Sequence, residues 1–377
     1  YRRLGSVMGS PATIDLERLL APISEESPSG EDVRADASPV SAYYQLKDAR
    51  KAARAKERNL GIDEAQVPDT RSDWRPVLEQ SIELLSTRSK DIEILAWLVE
   101  SLVRLEGFAG LRDGLQFTQG FIERYWDDFY PHEESLVDRI APFAGLNGQD
   151  AEGTLIFPIR NVPITEEHTI GPFASWHYLQ AASLQQMADP EARERRIEAG
   201  AVTMDQIDKA SLESDTEFLK NLYDDLQACR SSFHALTKDL DARCGIDAAP
   251  PSSNINKELN TCLEAVEYVA RRVIVEEQTE AAEADEAPVG EATESGAGAV
   301  PTGKSMTREQ AFKQLLQLAD FFRRTEPHSP LSYAIERIVR WGRMPLPELL
   351  SEIITEDDAR NNLFRLAGIS KPGPTEE

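Results

Sequence analysis

Cysteine is scarce in this chain: Cys229, Cys244 and Cys262 are the only three in 377 residues. An odd, sparse set does not make a disulfide framework, and no CxxC or Cys/His spacing offers a metal site. Long apolar runs are missing as well. No stretch approaches the roughly 18 residues that span a bilayer, and the N-terminus lacks the apolar core of a signal peptide. The expectation is a cytoplasmic protein without direct membrane insertion. Basic residues are in deficit, 41 lysines and arginines against 66 acids, for a formal charge of −25. Such a chain is repelled by phosphate backbones unless it gathers its cations on one face, so nucleic acid is not an expected partner. Catalytic signatures are also missing. There is no G-x-S-x-G, H-E-x-x-H or G-x-G-x-x-G, and His132, His168, His177, His234 and His328 are scattered. No carboxylate pair stands out from solvated helix faces, so no catalytic residue, cofactor or metal ligand is assigned.

What the chain does have is helical periodicity, which predicts an all-α fold. Trp74, Val77, Leu78, Ser81, Ile82 and Leu85 form an amphipathic stripe. Ile92, Leu95, Val99, Leu102 and Val103 repeat it, with Gly107 as a stop. Phe108, Leu111, Leu115, Thr118, Ile122 and Tyr125 make a third, closed by Tyr130-Pro131. An earlier helix is expected from Ser38-Pro39 to Asn59, with Pro39 in its first turn. Its outer face is basic: Lys47, Arg50, Lys51, Arg54, Lys56 and Arg58. That face is either simply solvated or a docking face for an acidic partner. The text from Thr154 to Thr165, TLIFPIRNVPIT, is β-branched and interrupted by Pro158 and Pro163, which predicts a short extended segment.

Thr203 with Gln206 reads as a capping box. Leu219, Leu222, Leu226, Cys229, Phe233, Leu236 and Leu240 then alternate spacings of three and four, a coiled-coil-like seam. Ile255, Leu259, Cys262, Val266, Val269 and Val273 repeat it after Gly245 and Pro250-Pro251. Two such helices, residues 216–244 and 254–276, predict an antiparallel hairpin. Cys229 and Cys262 fall in the seams as small apolar residues, in different layers, where they cannot bridge. His234 lies beside a seam as packing or a surface polar group.

From Glu276 to Ser305 the chain is an acidic, low-complexity linker with eight acids against one base, Lys304. Its last residues, Gly298 to Ser305, spell G-x-x-x-x-G-K-S. A phosphate loop needs a buried strand feeding it and an acid on a second strand for magnesium. The preceding EAPVGEATESGA cannot be such a strand. Val273 to Glu276, the nearest imitation of the second, ends a heptad helix, so the match reads as linker. Beyond it, Thr307 with Gln310 opens a helix lined by Phe312, Leu315, Leu316, Ala319 and Phe322. Ser329-Pro330 opens a second helix, through Ile335, Ile338, Val339 and Trp341. Shorter helices are expected around Leu346 to Ile354 and from Thr355 to Gly368. Four helices in so short a module form a marginal core, which favours oligomerisation. Arg337, Arg340 and Arg343 flank Trp341, a composition enriched at protein interfaces; burial of Trp341 in its own module is the other reading.

Several stretches resemble a known family. LLAPISEESPSGED (Leu19 to Asp32), DWRPVLEQSIELLSTRSKDIEILAWLVESLVRLEGFAGLRDGL (Asp73 to Leu115) and ERYWDDFYP (Glu123 to Pro131) are similar to the ImpA-type N-terminal domain. That domain belongs to the TssA family of bacterial type VI secretion proteins. FFRRTEPHSPLSYAIERIVRWGRMPLPELLSEI (Phe321 to Ile353) resembles the end of its short forms. The resemblance implies a non-enzymatic cytoplasmic assembly factor whose C-terminal region builds a ring. Its N-terminal and middle domains would reach the baseplate, inner tube and contractile sheath. The implied division is an upstream segment at residues 1–13, an ImpA-like domain at 14–185 and a middle helical domain at 186–275. The linker (276–305), a ring-forming helical domain (306–369) and a tail (370–377) follow. The ring role points to Tyr333, Arg337, Arg340, Trp341 and Leu346 as interface candidates. A phosphate-loop nucleotide hydrolase and a generic helical adaptor or chaperone are the rival readings.

Overall fold

The computed structural model describes residues 9–60, 71–133, 135–149, 151–245 and 248–274, and in the C-terminal part 312, 313, 315, 316, 319, 322, 323 and 331–344. The chain divides into two compact units, Tyr1–Glu286 and Ala287–Glu377. The expected linker, its phosphate-loop-like end with Lys304, Leu346 and the helices expected around and after it lie outside the described residues. So do the segments at the two termini and the caps expected at Thr307 and Ser329-Pro330. Among the described residues every element is helical, and β-pairing is confined to isolated bridges: Gly30 with Ser89, Asp91 with Tyr130, and Pro163 with Ala174.

The first unit is built around one buried rod. Helices α1 (Leu16–Leu20), α2 (Ala42–Leu60), α3 (Arg71–Thr87) and α4 (Ile92–Tyr125) come first. Most of α4 is buried, and its exposed positions are polar: Glu106, Gln116, Glu123 and Arg124. α3 packs on one flank, with α2 outside it, and α1 rests against both α3 and α4. Asp91 starts α4 by accepting the Glu93 and Ile94 amides at 2.8 and 3.1 Å. At Gly107 the rod breaks, with φ 59° and ψ −138°, and a Cβ there would meet Val162 at 3.2 Å. The predicted stop is therefore a kink that only glycine adopts freely.

Of the short helices α5 (Leu136–Arg139), α6 (Ala141–Asn147) and α7 (Ile156–Arg160), α6 and α7 pack against this rod, and α5 against α6. α7 overturns the extended reading of Thr154 to Thr165. Pro158 lies in the first turn of α7, where a backbone N–H has no intrahelical acceptor to lose. Extended pairing survives just beyond it, at the Pro163 bridge and the Ile164 N–H to Phe173 carbonyl bond of 2.7 Å. Pro39 likewise sits outside its expected helix, in a turn closed by the Ser41 N–H to Ser38 carbonyl bond, and α2 begins at Ala42.

Helices α8 (Ser175–Gln185), α9 (Pro190–Glu198) and α10 (Met204–Glu213) lead to α11 (Thr216–Cys244) and α12 (Ser253–Val269). The Thr203–Gln206 capping box is present in both directions. α11 and α12 pair as the predicted hairpin, and all the residues of both seams are buried. α12 stops earlier than expected, at Ala270, and the chain resumes a helical turn over residues 271–274. The α11 seam faces more than its hairpin partner: it also packs along α4, where Cys229 Sγ donates to the Phe108 carbonyl at 3.2 Å. Cys262 reaches Ser175 Oγ on α8 at 3.3 Å, and both thiols are free. One apolar core therefore runs from Ile14 to Val273.

In the second unit, α13 (Leu331–Arg343) is two-faced. Ser332 and Val339 are buried, while Tyr333, Arg337, Ile338 and Arg340 are exposed. Ala319 is buried, and Phe312, Leu315, Leu316 and Phe322 are half-buried helical residues of the same unit.

Candidate interaction faces

Several charged side chains of the first unit pair inside it. Along α2 and α4 the contact is ionic as much as apolar. Arg50 grips the buried Glu100 through two bonds of 3.0 and 2.7 Å, and Thr154 Oγ adds a third bond to that carboxylate at 2.6 Å. Arg104 binds Glu57 at 2.6 and 3.1 Å while lying over the Trp74 ring, whose Nε1 donates to Glu57 at 2.7 Å. Arg34 bridges Asp91 and Glu93, and Tyr43 donates to Glu93 at 2.7 Å. Burial alone would lower the Arg34 guanidinium; the two carboxylates more than reverse it.

A second knot ties three parts of the chain together. Arg112 pairs with Asp113 at 2.7 Å and with Asp225 of α11, and donates to the Ser10 and Pro11 carbonyls. Asp113 accepts the Thr13 amide and hydroxyl at 2.6 and 2.9 Å. Lys90 is 0% exposed and donates to the Leu19 and Leu85 carbonyls, both at 2.7 Å, near the C-termini of α1 and α3. A cation there complements two helix dipoles. Burial, with a smaller push from Arg124, lowers it to about 8. Periodicity passed over Lys90, Arg112, Asp113 and Asp225.

Burial raises the Cys229 thiol well above its ordinary range and Cys262 to about 12, so neither is a thiolate at neutral pH. A cavity between α4, α6, α11 and the start of α12, lined by Val99, Leu115, Phe143, Phe233, Leu240 and Ile255 among others, has a volume of about 30 Å³. That is room for water and far below the size of a cofactor site. Among the described residues no group of His, Cys, Asp and Glu is arranged to hold a metal ion, and no helix is long and apolar enough to cross a membrane.

Two outward faces remain. On α2 the predicted basic face divides. Arg50 turns inward to Glu100 and Lys56 pairs with Asp73, whereas Lys47, Lys51 and Arg58 stay exposed and Arg54 is half-buried. Glu100 lies in another helix, so periodicity along α2 could not reveal it. On α13, Tyr333, Arg337 and Arg340 follow spacings of four and three and share the outward side. Tyr333 is 64% exposed, and Ile338, about 140° further round the helix, is 54% exposed. Trp341 is half-buried, with Arg337 6.0 Å from its ring centre and its Nε1 buried without a hydrogen-bond partner among the described residues. Leu346 lies outside the described residues.

Residues 20–148 match the family model described as ImpA, N-terminal, type VI secretion system. Over 349 residues, 91% of this chain and 96% of the relative, the sequence is 26% identical to the type VI secretion system component TssA1 of Pseudomonas aeruginosa. The fold is similar to that of a solved N-terminal domain, including the conserved ImpA_N region, of the TssA component of the type VI secretion system from Burkholderia cenocepacia. That match has a TM-score of 0.56 at 28% identity and covers 71% of this chain and 97% of the other.

Proposed function

This chain belongs to the TssA family of type VI secretion components, and on that premise we propose that it is a non-enzymatic, cytoplasmic assembly scaffold of the secretion machine. Residues 306–369 build a homo-oligomeric ring, and residues 14–185 and 186–275 are the arms joined to it through residues 276–305. The arms engage baseplate, inner tube and sheath while tube and sheath polymerise. One observation carries this reading. The similarity to TssA1 spans 91% of this chain and 96% of the relative, so it takes in both ends and not the N-terminal domain alone.

Two features of the molecule support it. The buried ions of the first unit satisfy one another and do not converge on a cavity, which is the arrangement of a rigid body that presents surfaces. α13 leaves Tyr333 exposed on one side with Arg337 and Arg340, and aromatic and arginine side chains are enriched at interface centres. Size-exclusion chromatography with light scattering tests the reading. The full chain is expected to elute as a large oligomer, to remain one when residues 1–275 are removed, and to lose that state when residues 306–377 are removed. A monomer or dimer of the full chain would instead make this protein a helical adaptor.

A further inference from the structure

The outward side of α2 carries a stripe of cations at spacings of four, three and four: Lys47, Lys51, Arg54 and Arg58. At 1.5 Å per residue it extends about 16 Å along one helix face. Among the described residues, three nearby acids are already engaged. Glu100 is held by Arg50, Asp73 by Lys56, and Glu57 by Arg104 and Trp74. Asp48 is the one other acid in α2, so the stripe keeps an excess of positive charge in a chain whose net charge is −25. Among the described residues none of the four stripe cations has a carboxylate partner.

We propose that this stripe is a docking surface for an acidic protein segment, with Arg54 as its anchor and Lys47, Lys51 and Arg58 as flanking contacts. The fitting segment presents carboxylates about 5–6 Å apart, the spacing of side chains on successive helical turns.

Arg54 is what separates this stripe from an ordinary solvated face. Arg54 is half-buried, so it has lost part of its hydration, and among the described residues no carboxylate bonds to it. Burial lowers its basicity, and Arg50, Arg104 and Arg58 lower it further against the single pull of Glu100. An arriving carboxylate relieves both costs through a charge-assisted, two-pronged bond. The three exposed cations at the rim speed encounter and set register. A protein segment fits better than nucleic acid, because the surrounding chain is strongly acidic and a phosphate backbone would meet that field beyond the stripe. The proposal does not depend on whether the C-terminal unit forms a ring.

The test is fluorescence anisotropy with the full chain and a labelled helical peptide whose glutamates alternate three- and four-residue spacing. The controls are the matching glutamine peptide and a single-stranded oligonucleotide of equal charge. Arg54→Gln is expected to weaken glutamate-peptide binding about tenfold, and the Lys47→Gln, Lys51→Gln, Arg58→Gln triple variant by at least as much. The triple variant alters exposed side chains alone and so keeps the test valid if Arg54→Gln folds poorly. Replacing Arg193, Arg195 and Arg196 of α9, also exposed, with glutamine should leave binding unchanged. Absence of peptide binding, equal loss from the α2 and α9 variants, or tighter binding of the oligonucleotide would each overturn the proposal.

Discussion

α4, 34 residues long, buries Glu100, Arg112 and Asp113 among leucines and phenylalanines. α13, with 13 residues, does the reverse and leaves Tyr333 and Ile338 in solvent between arginines. The first helix sits in a unit that has found partners for its ions inside itself. The exposed large apolar residues of that unit, such as Val40, Val137 and Leu212, are spread over different elements, and isolated ones need no explanation. Two on one short helix, beside Arg337 and Arg340, are another matter. The difference teaches where each region's folding is completed. The first unit closes on its own core, whereas α13 leaves Tyr333 and Ile338 uncovered, and on the proposed reading another chain covers them.

The comparison breaks most easily at Arg112. If the buried ions hold the first unit together, Arg112→Met strands Asp113 and Asp225 side by side without their cation. The expected loss is about 3–5 kcal/mol of unfolding free energy, read by chemical denaturation of the full chain. Replacing Asp113 and Asp225 by apolar residues of similar size in the same variant should recover most of that loss. A single-variant loss below about 1 kcal/mol would place these ions on a solvated seam, and the contrast with α13 would fade.

A smaller effect sharpens the same contrast through pH. Burial pushes His177 down to about 4, and its Nδ1 accepts the Ala174 amide at 3.0 Å at the start of α8. The unfolded chain binds this proton near 6.5, the folded chain only near 4. The stabilisation is therefore complete above about pH 6.5 and is lost as pH falls from there towards 4. Allowing for partial exposure of the ring, the loss is about 2 kcal/mol. His177→Gln keeps an acceptor but does not titrate, and denaturation midpoints for this variant should flatten over that window. α13 contains no histidine, so dissociation governed by its outward face should not follow the His177 titration.

Spacing revealed which faces are apolar but not what covers them. All the seam residues from Leu219 to Leu240 are buried as their three-and-four pattern demands, and Gly107 interrupts α4 where its stripe ends. The same pattern could not say that α11 lies along α4 as well as α12, since period identifies a face and no neighbour. Arg50 looked like part of an outward basic face because its acid, Glu100, sits 50 positions away in another helix. Pro158 misled for a different reason: a proline counts as a breaker in mid-helix yet is tolerated in a first turn, and α7 is scarcely longer than that. Tyr333, Arg337 and Arg340 were picked out from the implied ring role, and all three are exposed on one helix at spacings of four and three.

The smallest expected effect on folding is the most discriminating. Tyr333→Ser with Ile338→Ser removes two exposed side chains, and surface changes of this kind usually shift unfolding by no more than about 0.5 kcal/mol. If α13 is completed by another chain, the same pair should weaken self-association about tenfold or more, since truncating central interface side chains costs more than about 1 kcal/mol each. Light scattering over a dilution series reads the association, and circular dichroism of the same samples reads helix content. Dissociation with helix content preserved keeps the contrast with α4. Loss of helix at every concentration would mean that Tyr333 and Ile338 support the fold of their own unit. The two regions would then differ in how well they cover their cores, not in where those cores are completed.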